Sequence, residues 1–159
     1  MENLGDTRET GSFDLKWVQD GELPDVGELL AGSLREDLRF VKRLCDDWAA
    51  GINRFDKPGE GLLVALDGAR VVAVCGLNRD PFAAGEGIGR VRRFYVLPAY
   101  RRQGLGGRML DELVVRAHPH FTVLRVHSHE ARDFYLTHAF RLLEGDPDAS
   151  HERVIGDTR

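Results

Sequence analysis

Two apolar runs separated by a two-residue turn constrain this chain more than any other feature. Leu62-Leu63-Val64-Ala65-Leu66 precedes Asp67-Gly68, and Ala69 through Leu77 follows. An Asp-Gly pair between two such runs is the strongest short-range signal for a β-hairpin. Neither run alternates polar with apolar. Both faces of both strands therefore need cover, which places the hairpin centrally in a sheet with helices on its two sides.

The remaining segments supply that sheet and those helices. Phe13 to Val18 alternates as a half-buried strand does. Pro24 fits a first helical turn, and Val26, Leu29 and Leu30 give that helix an apolar side, with Gly32-Ser33 expected to break or bend it. Leu34, Leu38, Val41, Cys45 and Trp48 then recur at steps of four, three, four and three, the spacing of an amphipathic helix. Beyond the hairpin, the Gly-rich loop Asp80 to Gly89 leads into a strand from Arg90 to Leu97 that Pro98 stops. A helix on Leu105, Met109, Leu113 and Ala117 follows, then a strand from Phe121 to Val126 and a short helix with Ser128 as N-cap. Phe140 to Leu143 and His151 to Ile155 read as two final strands. The order β–α–α–β–β–β–α–β–α–β–β gives an α+β fold with a mainly antiparallel sheet.

With 159 residues and 42% apolar side chains, the chain is expected to form one domain over 12–159, preceded by a loose tail over 1–11. A net charge of −4 argues against a dedicated nucleic-acid binder. No apolar run approaches the roughly 20 residues of a membrane-spanning helix. The polar start MENLGDTRETGS carries no secretory signal, so a cytoplasmic protein is expected. Cys45 and Cys75 fall in helical and strand patterns and read as small buried residues. His118/His120 and His127/His129 are spaced i, i+2, but no carboxylate or Cys pattern joins them, so no metal is expected.

The chemistry concentrates where the strand ending at Leu97 passes through Pro98-Ala99-Tyr100-Arg101-Arg102-Gln103-Gly104-Leu105-Gly106-Gly107 into a helix. The first N–H groups of a helix lack internal partners, and the aligned peptide dipoles add positive charge there. Glycines let a bulky anion approach those groups, and Arg101 and Arg102 add full charges. The combination is a pyrophosphate cradle. It is not a Gly-x-x-x-x-Gly-Lys-Ser/Thr loop. It is not the dinucleotide pattern Gly-x-Gly-x-x-Gly either, because Met109 stands where the third glycine belongs.

The segment VLPAYRRQGLGGRML resembles the coenzyme-A-binding motif of the GNAT-type N-acetyltransferases, Val-x-Pro-x-x-Arg-x-x-Gly-x-Gly/Ala, through Val96, Pro98, Arg101, Gly104 and Gly106. A second similarity lies in Ser128-x-x-Ala131-x-x-Phe134-Tyr135-x-x-x-Ala139-Phe140, where the family often has Asn and Gly in place of Ser128 and Ala139. If position 139 needs a left-handed backbone, Ala is strained there by about 1–2 kcal/mol. The resemblance implies a sheet of about seven strands that splays in a V between the fourth and fifth. It implies acetyl-CoA as acyl donor and direct attack of a primary amine, from a small molecule or peptide, on the thioester. It implies a cofactor site made of Phe94, Tyr95, Val96, Arg101, Arg102, Gln103, Gly104, Leu105, Gly106, Gly107 and Ser128. It also implies Tyr135 as the acid that protonates the thiolate, although spacing alone reads Tyr135 as a core residue, and it makes a homodimer an expectation.

The base is less defined. The two strands flanking the V carry no acidic residue. His127, whose ordinary pKa near 6.5 suits the task, ends the second strand; Glu86 precedes the first, and His151 opens the last. A chain of waters is a fourth solution. Asp80, Phe82 and Glu86 in the loop suit a cationic amine. Two other functions fit parts of the sequence. One is a non-catalytic CoA-binding or sensory module. The other is a nucleic-acid binder using Arg90, Arg92, Arg93, Arg101 and Arg102.

Overall fold

The computed structural model describes residues 13–19, 21–85 and 87–156. The expected tail over 1–11 and the candidate Glu86 lie outside the described residues. Seven strands form one sheet in the order β1-β2-β3-β4-β5-β7-β6. They are β1 (Asp14–Trp17), β2 (Gly61–Asp67), β3 (Arg70–Arg79), β4 (Ile88–Val96), β5 (Val123–Val126), β6 (Arg141–Leu142) and β7 (His151–Val154). The helices are α1 (Gly27–Arg35), α2 (Phe40–Ala50), α3 (Leu105–Ala117) and α4 (Arg132–Thr137), with a 3-10 turn over Pro98–Tyr100. This is the α+β order expected from the sequence.

The β2–β3 hairpin is central, as its two-sided apolarity required, and Leu62, Leu63, Ala65, Val72, Val74 and Leu77 are all buried. Its turn sits one residue later than Asp67-Gly68. Asp67 pairs with Arg70, so the turn residues are Gly68 and Ala69. Gly68 takes a φ of +65°, which glycine adopts without a Cβ clash.

Neighbouring residues of β4 point to opposite faces and so identify the two layers. Tyr95 meets Phe40 of α2, and its hydroxyl lies 3.0 Å from where a Cβ on Gly32 of α1 would stand. Phe94 meets Phe134 of α4, whose ring edge lies over Gly106 of α3. Gly32-Ser33 does not break α1: both residues are buried inside it, and Gly32 is small because Tyr95 and Leu97 press on it. The break falls instead at Glu36-Asp37, where Asp37 has a φ of +64°. Leu34 thereby stays in α1 and Leu38 lies between the helices, so the second helix is shorter than the apolar spacing suggested. Gly51, at φ +74°, ends α2.

Only β4 and β5 run parallel, and they pair over Ile88–Arg90 against Val123–Arg125. β5 then stays with β7 as far as Val126 and His151, while β4 stays with β3 through Val96. From Val91 onward β4 therefore has no strand on its β5 side. The sheet forks there, in the V that the resemblance implied.

Candidate active site

A bulge shapes the open side of the fork. Gly76 pairs with Arg92 and Val74 with Tyr95, so Cys75 alone faces Arg93 and Phe94. Arg93 is the inserted residue, at φ +58°, a strained value for a side-chain-bearing residue. The insertion sends Arg93 to the α2 face beside Arg92, where its guanidinium lies 3.6 Å from Asp47. Burial, reinforced by Arg92, pushes Arg93 down to about 10.

The strand leads through the 3-10 turn into the Gly-rich loop. Tyr100 anchors that turn: its hydroxyl donates to Asp67 at 2.7 Å and accepts from Arg70 at 2.9 Å, while Arg70 forks onto Glu28. Arg102, at φ +64°, and Gly104, at φ +82°, turn the chain so that α3 begins at Leu105. Arg108 N–H bonds to the Gly104 carbonyl. The N–H groups of Arg102 through Gly107 meet no acceptor among the described residues. A run of donors at the positive end of a helix is the geometry an anion needs.

Two features of the loop differ from the reading of the sequence. Arg101 does not face an open cradle. Its guanidinium forks onto Glu36 at 2.9 and 2.8 Å, donates to the Val96 carbonyl at 2.9 Å and covers the Tyr95 ring. Tyr95 also bonds to Glu36, and burial pushes its phenol up to about 12. Arg101 thus ties the loop to the end of α1, and Arg102 is the exposed cation left beside the free N–H groups. The room left by Gly106 and Gly107 is occupied by α4 and by His138, which follows it. A Cβ on Gly106 would stand 3.3 Å from the Phe134 ring, and one on Gly107 would stand 2.7 Å from His138 Nε2. Gln103 bonds back to the Ala99 carbonyl, and Leu105 is buried beneath the loop.

Tyr135 is buried between Phe134, Phe140 and His151, with ring separations of 5.1, 5.2 and 5.8 Å. Burial pushes its phenol well above the ordinary value, with the nearby Cys75 thiol adding to the effect. Because Cys75 faces the bulge, Tyr135 lies beneath the fork. Its position depends on a helix end in which Phe140 N–H reaches the Tyr135 carbonyl at 3.0 Å across Ala139, at φ +72°. That is the six-to-one bond and apolar contact of a Schellman motif. Ser128 does not cap α4 itself, whose N-cap is Ala131. Its hydroxyl accepts the Ala131 N–H at 3.1 Å and so closes the turn that leads into the helix.

Of the proposed bases, His127 and His151 fall among the described residues. His127 is exposed and packs edge-on against His129 at 5.0 Å. His151 is buried beside Tyr135, with Nδ1 on the Ser150 hydroxyl at 2.8 Å and Nε2 without a partner among the described residues. Burial pushes its imidazole down. The loop acid Asp80 is not available to a cationic amine, because it is buried against Arg90 at 3.5 Å. Three of the five arginines considered for nucleic acid are already engaged: Arg90 is buried, Arg93 faces Asp47 and Arg101 faces Glu36.

What the sequence missed is a cavity of about 510 Å³ on the α2 side of the fork. Its lining includes Asp47, Asn53, Arg54, Glu60, Asn78 and Arg92. These come from α2, the following loop, β3 and β4, and only the fold brings them together. The one local hint was Asn78, a buried polar residue closing an otherwise apolar strand. No group of His, Cys, Asp and Glu able to hold a metal occurs among the described residues, and no helix there is long and apolar enough to cross a membrane.

The acetyltransferase (GNAT) domain model matches residues 58–142, which span β2 through β6, including the fork, the cradle and α4.

The chain belongs to the GNAT acetyltransferase family.

Solved structures agree on the fold. A protein from Exiguobacterium sp. 255-15, proposed to be an acetyltransferase, is 28% identical with a TM-score of 0.81, over 89% of this chain and 93% of that one. A GNAT family acetyltransferase from Elizabethkingia anophelis with acetyl-CoA bound is 12% identical with a TM-score of 0.61, over 90% and 98%. N-acetylglutamate synthase from Neisseria gonorrhoeae, complexed with coenzyme A and N-acetyl-glutamate, is 12% identical with a TM-score of 0.65, over 90% of this chain and 35% of that one. A search of curated proteins found no match.

Proposed function

We propose that this GNAT protein transfers the acetyl group of acetyl-CoA to a primary amine by direct attack on the thioester. The observation that carries the reading is the coincidence of two features. The unpaired N–H groups of Arg102 through Gly107 sit at the start of α3, and the β4 edge from Val91 to Val96 opens beside them. The first would hold the pyrophosphate, with Arg102 rather than Arg101 as the free cation. The second would offer backbone groups of Phe94, Tyr95 and Val96 to the amide arm of the cofactor. The Elizabethkingia structure, which holds acetyl-CoA on the same fold, supports acetyl-CoA as the donor.

The amine would enter from the cavity on the other side of the bulge. Its ammonium form first loses a proton on that side, where Asp47, Asp56 and Glu60 are the carboxylates. The nitrogen then bonds to the acetyl carbon and the C–S bond breaks. The second amine proton balances the proton taken up by the thiolate. Tyr135, kept protonated by burial beneath the fork, is the acid we assign to the thiolate. Holding both reactants at the bulge supplies the proximity term.

Tyr135→Phe tests the assignment and separates an enzyme from a binding module. Turnover is expected to fall by about 100-fold or more while acetyl-CoA binding is retained. Unchanged turnover removes Tyr135 from the chemistry.

A further inference from the structure

Among the buried and half-buried polar side chains that line the acceptor cavity, one has unspent bonding capacity; Asp56 and Lys57, which also line it, are exposed. Glu60 accepts the N–H groups of Lys57 at 3.1 Å and Arg79 at 2.9 Å. Asp47 faces Arg93. Asn53 and Asn78 exchange amide hydrogen bonds at 2.9 and 3.0 Å, and Arg54 donates to the Trp48 carbonyl at 2.8 Å. Arg92 alone among these six makes no hydrogen bond and no ion pair among the described residues, although it is half-buried.

A guanidinium withdrawn from water without a partner is costly, and folds normally match it with an anion. Burial and the neighbouring Arg90 push Arg92 down, and the carboxylates of Asp47, Asp80 and Glu60 offset only part of that effect. Its location is specific. It stands two residues past Arg90, the last β4 residue to pair with β5, and directly before the bulge. A group docked on Arg92 would therefore lie in the acceptor cavity beside the point where the strands part.

We infer that Arg92 is a specificity residue that docks an anionic group of the acceptor, so that the substrate is an amine bearing a carboxylate or a phosphate rather than a polyamine or a simple alkylamine. The inference rests on the acetyltransferase reading above and narrows its acceptor. The rigid planar fork of the guanidinium suits either anion through two parallel bonds. The acyl step is unchanged: N–C forms, C–S breaks, and the released thiolate takes a proton.

The test uses the whole chain with acetyl-CoA and matched amine pairs, followed by thiol release. One arm compares free α-amino acids with their α-amides. A second compares an amino-alcohol phosphate with its dephosphorylated form, and polyamines form a third. The charged member of at least one pair is expected to have the higher kcat/KM, by about 10- to 150-fold, the scale of a hydrogen bond to a charged group. Arg92→Gln should collapse that ratio toward one while acetyl-CoA affinity, read by calorimetry, stays the same. The arm that responds identifies carboxylate or phosphate. Preference for uncharged or polycationic amines, or a ratio that survives Arg92→Gln, overturns the inference while leaving acetyl transfer standing. Failure of the wild-type chain to bind acetyl-CoA overturns both.

Discussion

Ala139→Gly should stabilise this protein, and the size of the gain follows from one backbone angle. Ala139 follows α4 at φ +72°, where a Cβ crowds the neighbouring carbonyl. That conformation costs a residue other than glycine about 1–2 kcal/mol. Glycine removes the crowding but enlarges the freedom of the unfolded chain, which offsets about 0.4–1 kcal/mol. The side chain is exposed, so no core contact is lost. The net gain is about 1 kcal/mol, which for a domain of this size raises Tm by about 2–4 °C. Ala49→Gly provides the control: it is exposed in the last turn of α2 and should lose up to about 0.5–1 kcal/mol. Scanning calorimetry with urea midpoints at constant m reads both variants. A Tm for Ala139→Gly at or below wild type, with the control behaving as stated, would refute the strained helix end and with it the account of how Tyr135 is held against Phe140.

Two further perturbations probe the ionisable groups. His151 is buried with its imidazole pushed down, so the folded state binds fewer protons than the unfolded one. Stability should therefore decline as pH falls below the ordinary value of 6.5, and His151→Gln should flatten that decline in Tm. An unaltered slope would mean that another group titrates. Glu36 is held below its ordinary 4.5 chiefly by Arg101, so its contribution is present above that value and lost as pH falls through the lowered one. Glu36→Gln should cost up to about 1 kcal/mol at neutral pH, the pair being partly exposed, and match wild type in acid. A cost that persists in acid would assign the loss to packing against Tyr95 instead.

Much of the fold was legible because it rests on local chemistry. The two-sided apolarity of Leu62 to Leu77 put the hairpin at the centre, and Gly104 to Gly107 marked the start of α3. Where local and tertiary demands compete, the sequence misleads. Gly32-Ser33 has the composition of a helix break, yet Tyr95 and Leu97 require a small residue there inside a continuous helix. The hairpin turn moved by one residue because glycine is placed at the first turn position rather than the second. Arg101 carried the motif but is held by Glu36, a partner from α1 that only the folded chain brings near. Arg92 and Arg93 look like any basic pair. Their opposite fates, one paired and one free, come from a bulge set by long-range strand register. The cavity on the α2 side was illegible for the same reason, since its lining is drawn from segments that meet only in the sheet.

Calorimetric titration with acetyl-CoA tests the cradle at the start of α3 most directly. The wild-type chain should bind saturably at one site. Gly106→Glu adds bulk 3.3 Å from Phe134 and a negative charge among the free N–H groups, and should abolish binding while thermal unfolding shows the variant still folded. Equal affinity in the two proteins would place acetyl-CoA elsewhere and contradict the cradle.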